Sequence, residues 1–133
     1  MPPSRQLLLA AALAAMLAFP AVASPLERQP APAAAAATRT VKVADDRYSP
    51  KRLEVAKGTR IRWVWSSDNA HLHDVYVYKR PNGSRRFKSP PGTTSFRFAR
   101  KLRKPGVYKI LCTFHEGMRM RIDVSPSGRV GRR

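Results

Sequence analysis

The chain has 133 residues, room for one domain of ordinary size. Its 26 Lys and Arg against 8 Asp and Glu give a net charge of +18, a balance that favours association with something anionic over simple solubility. One cysteine excludes an internal disulfide, and three histidines are too few for a histidine-rich, oxygen-reducing metal cluster.

The N-terminus reads as an export signal. Arg5 is its only charge, residues 7–19 are apolar, and Ala21-Val22-Ala23 forms an A-x-A cleavage site. The apolar run is short for a membrane span, so the mature chain is expected outside the cytoplasm, periplasmic or secreted, with surface association permitted by its charge. Residues 24–38 are rich in Ala and Pro, broken by Pro25, Pro30 and Pro32, and read as a semi-extended linker. The expected organisation is a signal peptide at 1–23, a linker at 24–38, one domain at 39–125 and a basic tail at 126–133 that carries Arg129, Arg132 and Arg133.

From Thr40 onward the pattern is strand after strand. Residues 40–44 alternate with Val41 and Val43 on one face. Residues 45–50 read as a loop, residues 53–55 alternate again, and Lys57-Gly58-Thr59 is a turn. Residues 60–65 put Ile61, Trp63 and Trp65 on one face, a half-buried strand with a heavy aromatic load. A loop follows, then a strand at 73–78 rich in β formers. Residues 79–92 are irregular. Strands are expected at 94–98, at 107–112 with Tyr108, Ile110 and Cys112 on one face, and at 119–124 with Met120, Ile122 and Val124 on one face. Short strands separated by turn residues predict an all-β sandwich.

The chemistry concentrates in residues 112–120, which hold the only cysteine, one histidine and two methionines. A thiolate, an imidazole and a thioether are a soft donor set suited to copper. Cys112 and His115 stand on either side of a tight turn that Gly117 makes feasible. In an oxidising compartment a lone cysteine is an intermolecular bridge, a reactive thiol or a metal thiolate; with His115 and Met118 following, the metal thiolate is the reading adopted. A further donor must come from another strand. His73 shares the parity of Val75 and Val77 and so faces the core at a strand's mouth. His71 is read as a solvated loop histidine.

These residues resemble the cupredoxins, the small blue copper fold of plastocyanin, amicyanin and pseudoazurin. The resemblance rests on Gly106-x-Tyr108-x-Ile110-x-Cys112-x-x-His115-x-Gly117-Met118, on His73-Asp74-Val75, on Tyr48-Ser49-Pro50 and on Val55-x-x-Gly58-x-x-Ile61-x-Trp63. It spans about Val41 to Val124 and implies a Greek-key β-sandwich holding one mononuclear type 1 copper. His73, Cys112 and His115 would be the equatorial ligands and Met118 the weak axial one; the alternative axial ligand is Met120, five residues after His115 as in relatives with a longer loop, whose other role is packing beneath the site with Ile122 and Val124. Glu116 stands where many relatives have Pro, and Asp74 where many have Asn. Thr113 is placed to link the two ligand loops by its hydroxyl.

The resemblance implies a carrier of single electrons, with His115 and Phe114 as the port, rather than an enzyme. A zinc hydrolase would need an open position and a nearby base, and Glu116 is the only acid in the loop. A copper carrier or scavenger with the same ligands is the alternative. The basic loops at Arg85, Arg86 and Lys88 and at Lys101, Arg103 and Lys104 suggest an acidic redox partner or an anionic envelope surface. Nucleic acid is set aside, since no stacking platform is evident. The chain is expected to act as a monomer.

Overall fold

A computed structural model describes residues 37–126, so the expected signal peptide, the linker up to residue 36 and the tail from residue 127 lie outside the described residues. The described residues form eight strands in two four-stranded sheets and contain no helix. One sheet has the order β2 (Arg47–Ser49), β1 (Thr38–Ala44), β4 (Arg60–Trp65), β6 (Arg97–Lys101). The other has the order β3 (Arg52–Ala56), β8 (Arg119–Ser125), β7 (Gly106–Leu111), β5 (Tyr76–Lys79). The fold is the expected β-sandwich. β1 takes in Thr38, the last residue of the expected linker.

The alternation that defines the strands also defines the core. Val41, Val43, Ile61, Trp63, Trp65, Tyr108, Ile110, Met120, Ile122 and Val124 are all buried. Lys42, Arg60 and Arg62 alternate with them and face solvent. Trp63 packs its ring at 5.8 Å from both Phe87 and Phe98, which fills the space between the sheets. A fully buried side chain of this apolar kind contributes about 1.5–3 kcal/mol.

Three expected elements differ. Residues 45–50 were expected as a loop, but Arg47–Ser49 is an edge strand paired antiparallel to β1. A tight turn with Asp46 at φ 61 makes this hairpin and swings Tyr48 into the core. The strand expected at 73–78 is regular only from Tyr76 to Lys79. His73 instead makes an isolated bridge with Gly92, and the Val75 N–H donates to Ser89 Oγ at 3.0 Å. Parity survives this change: His73, Val75 and Val77 are all fully buried. The strand expected at 94–98 lies at Arg97–Lys101. Ser95, at φ 53, breaks the ladder before it, and the Trp65 N–H donates to Phe96 O at 2.9 Å.

The parallel pairing of β1 with β4 brings the ends of both strands to one end of the sandwich. Asp45 and Asp46 follow β1, residues 66–75 follow β4, and Cys112 follows β7. Every residue expected in the metal loop lies at this end. The other end is closed at Gly106, which has φ +125 and where an added Cβ would sit 2.7 Å from Pro81 Cγ. Only glycine fits there.

Candidate metal centre

Cys112 leaves β7 on the buried parity and is 4% exposed. The chain then turns through 113–117 and comes back as β8. Gly117 adopts φ +81 at the tip, a conformation that L side chains rarely take. Two backbone bonds close the loop: Cys112 N–H to Met118 O at 3.0 Å and Met118 N–H to His115 O at 3.3 Å. These bonds hold Cys112, His115 and Met118 in one compact turn.

The second ligand segment meets this turn directly. Cys112 Sγ lies 3.7 Å from His115 Nδ1 and 4.0 Å from His73 Nδ1. The two imidazole rings are 4.7 Å apart. One donor atom from each of the three residues lies within 4.8 Å of the others. A single ion with bonds of about 2.0–2.3 Å and roughly trigonal angles separates its donors by about 3.6–3.8 Å. The three side chains therefore fit one ion. His73 is fully buried and His115 keeps 24% of its side chain exposed, so one imidazole is internal and the other reaches the surface.

Asp45 fixes the orientation of His73. Its Oδ1 lies 2.9 Å from His73 Nε2. An ionised carboxylate only accepts, so Nε2 carries a proton, and in the neutral ring this makes Nδ1, on the side of the thiol, the nitrogen free to ligate. The N–H groups of Ala70 and His71 also donate to Asp45, at 2.9 and 3.2 Å. The Ala70 N–H first, and His73 next, hold the Asp45 carboxyl well below the usual carboxylate range. Residue 45 read as ordinary loop in the sequence. The role of an acid at a strand end became visible only once the hairpin placed it beside residue 73.

Asp74 joins the two ligand segments. It is fully buried, and its carboxylate accepts from Thr113 N–H at 2.7 Å and from Thr113 Oγ1 at 2.6 Å. The expected Thr113 hydroxyl link is present. Lys88 Nζ lies 3.3 Å from the same carboxylate. The Tyr48 hydroxyl donates to the Asp74 carbonyl oxygen, and burial pushes this phenol well above its ordinary value, so it stays neutral. Residues 73–74 are thus tied to 112–113 by side chains and to β2 by Tyr48.

The two methionines have different neighbours. Met118 is 1% exposed and its backbone closes the ligand turn. Met120 Sδ lies 3.4 Å from the Trp63 indole nitrogen, which donates to it, so that sulfur is engaged in the core. His71 is exposed, as expected. It nevertheless lies near the centre: its ring is 5.5 Å from that of His115, and its Nδ1 is 3.7 Å from Asp46 Oδ1. Phe114 and Leu72 are the large apolar side chains left exposed among the described residues, and both flank this end. Phe114 was expected at the port; Leu72 carried no signal in the sequence.

A buried cysteine sulfur, two imidazoles and a buried methionine in the same turn of a β-sandwich supply the donor set of the mononuclear type 1 copper centres. A family model described as a cupredoxin-like domain matches residues 7–124, and the chain belongs to that family. Among solved structures, the chain is similar to a reduced amicyanin variant at TM-score 0.58 and 26% identity, over 70% of this chain and 85% of that one. A reduced Cu(I) form of an amicyanin variant at pH 4 is similar at TM-score 0.57 and 25% identity, with the same coverage. A Cu-containing nitrite reductase from Thermus scotoductus SA-01 is similar at TM-score 0.60 and 25% identity, over 74% of this chain. The chain spans 26% of that reductase's length. No curated protein matches.

Proposed function

We propose that the chain is a soluble carrier of single electrons outside the cytoplasm, holding one type 1 copper on His73, Cys112, His115 and Met118. Copper bound there supplies a one-electron couple between Cu(II) and Cu(I). The observation that carries the reading is the convergence of one buried and one surface-reaching imidazole on a buried thiol. The chain's own residues keep that geometry still. Asp45 holds His73 in one tautomer, Asp74 and Thr113 lock the two ligand segments together, and Trp63 anchors the strand beneath. Fixed donors that suit both oxidation states keep rearrangement small when an electron arrives.

His115 is the proposed port. Its exposed edge, with Phe114 and Leu72 beside it, gives a partner an apolar landing close to the centre. No catalytic role is proposed, and the carrier is taken to act as a monomer. The charge of +18 supports an acidic redox partner or an anionic envelope surface. Residues 1–23 support export.

The test is electron exchange. The copper-loaded mature chain, reduced and mixed with an oxidised c-type cytochrome or a copper enzyme, is expected to transfer electrons by a bimolecular reaction followed by stopped flow. A protein that holds copper tightly but exchanges no electrons with any such partner would be a copper carrier or scavenger instead.

A further inference from the structure

The structure gathers the basic loops into a single cleft. Arg85, Arg86, Arg100, Lys101, Arg103 and Lys104 line a cleft of about 750 Å³. Phe87, Leu102 and Tyr108 form its floor and are themselves buried. The two loops lie far apart in sequence, but an added Cβ at Gly83 would sit 3.8 Å from Lys104 Cε, and the Tyr108 hydroxyl donates to Lys104 O at 3.0 Å. Lys88 does not join them; it faces the buried Asp74.

None of the six cleft cations lies within ion-pair distance of a carboxylate among the described residues. Arg100 stacks on Phe98 at 4.3 Å and Arg86 reaches the Tyr76 hydroxyl at 2.9 Å, contacts that leave their charges uncompensated. Like charges lining one cleft repel one another, and a bound anion would relieve that repulsion. Guanidinium groups present forked donors matched to phosphate oxygens.

The cleft lies apart from the metal centre. β7 carries Tyr108 in the cleft floor and leads on to Cys112, a path of about 13 Å of strand, with His115 beyond it. The port has local charge of the other sign: Asp46 Oδ1 lies 3.4 Å from His115 Nε2, and the exposed Glu116 follows. A redox partner seated on the cleft would be held far from His115. A surface seated there would leave His115 facing outward.

We infer that this cleft docks the protein on the phosphate headgroups of an anionic lipid surface, leaving the metal end free for partners. The inference rests on the proposed export to an envelope. Each basic side chain at an anionic bilayer adds roughly fivefold to partitioning. The mature chain from Ser24, loaded with copper, is mixed with vesicles of about 70% phosphatidylcholine and about 30% phosphatidylglycerol and sedimented, with pure phosphatidylcholine as the blank. Binding to the anionic vesicles is expected, lost at about 0.5 M salt. The double variant Arg85→Gln/Arg103→Gln is expected to bind roughly 25-fold more weakly. Lys42→Gln/Arg62→Gln makes the same charge change on exposed positions of β1 and β4 that do not line the cleft, and is expected to lose far less. The visible copper band of each sample reports the metal centre independently, so failure of one reading is separable from failure of the other. Equal losses in the two variants would mean that net charge alone drives binding, and the cleft would have no part. If vesicles fail while inorganic phosphate shifts the cleft amides in NMR titrations, the site takes small anions and the membrane role is wrong. If vesicles fail while polyglutamate shifts them, an acidic protein is the occupant and the membrane role is wrong again.

Discussion

Replacing Asp74 tests whether the two ligand segments are tied together as the geometry implies. Its buried carboxylate takes two charge-assisted hydrogen bonds from Thr113, at 2.7 and 2.6 Å, and faces Lys88 at 3.3 Å. Bonds to a charged group contribute about 1.5–3 kcal/mol each. Thr113 is exposed, so its freed groups regain water, and removal also relieves the cost of burying a charge. Asp74→Ala should therefore cost about 2–4 kcal/mol rather than the full sum. Asp74→Asn has the same shape. Its carbonyl still accepts from Thr113 N–H and its amide donates to the Thr113 hydroxyl, while Lys88 loses its partner. Lys88 is half-exposed, and such a pair contributes about 0–1 kcal/mol, so Asn should cost about 1 kcal/mol. Urea unfolding of the metal-free protein measures both variants, and repeating it with copper shows whether retention of the metal falls in parallel. An Ala variant within about 0.5 kcal/mol of the parent, or an Asn variant as damaged as Ala, would refute the tie.

Other substitutions probe separate parts of the site. Asp45→Asn removes the carboxylate behind His73 and should weaken copper affinity about 10–100-fold in a chelator competition. Met118→Leu should change the spectrum and the reduction potential. Met120→Leu, whose sulfur meets Trp63, should leave both unchanged and cost under about 1.5 kcal/mol in stability. The reverse pattern would make Met120 the axial ligand. Hydrogen bonding from Arg121 holds the Asp123 carboxyl below the usual carboxylate range. Its folded pKa is depressed, so its contribution is complete above the unfolded value near 4 and fades as pH falls through that value toward the folded one. Thermal melts of Asp123→Asn should show a shallower loss of stability across that acidic window than the parent.

Much of this fold could be read from side-chain parity. The alternation through Ile61, Trp63 and Trp65, through Tyr108, Ile110 and Cys112 and through Met120, Ile122 and Val124 marked three central strands, because burial on one face leaves a period of two. Edge strands were harder. Arg47–Ser49 is three residues long and buries only Tyr48. Arg97–Lys101 is rich in exposed cations, as edges commonly are, and so lacked an apolar signal. The donors Cys112, His115 and His73 were legible for a local reason: two flank one turn, and the third keeps its inward parity even where regular pairing stops. Asp45 and Leu72 were not legible. Their roles arise from contacts across 28 residues and from an exposed loop surface, and a single sequence has no marker for either. The joining of residues 83–87 and 100–104 into one cleft was hidden in the same way, although each run of charge was plain.

The most direct measurement is the visible absorption of the purified mature chain after one equivalent of cupric ion is added, with Cys112→Ser beside it. An intense thiolate-to-copper band in the parent, absent from the serine variant and bleached by a one-electron reductant, is the predicted result. A parent that stays colourless, or a band that survives the loss of the Cys112 sulfur, would contradict a copper centre built on His73, Cys112 and His115.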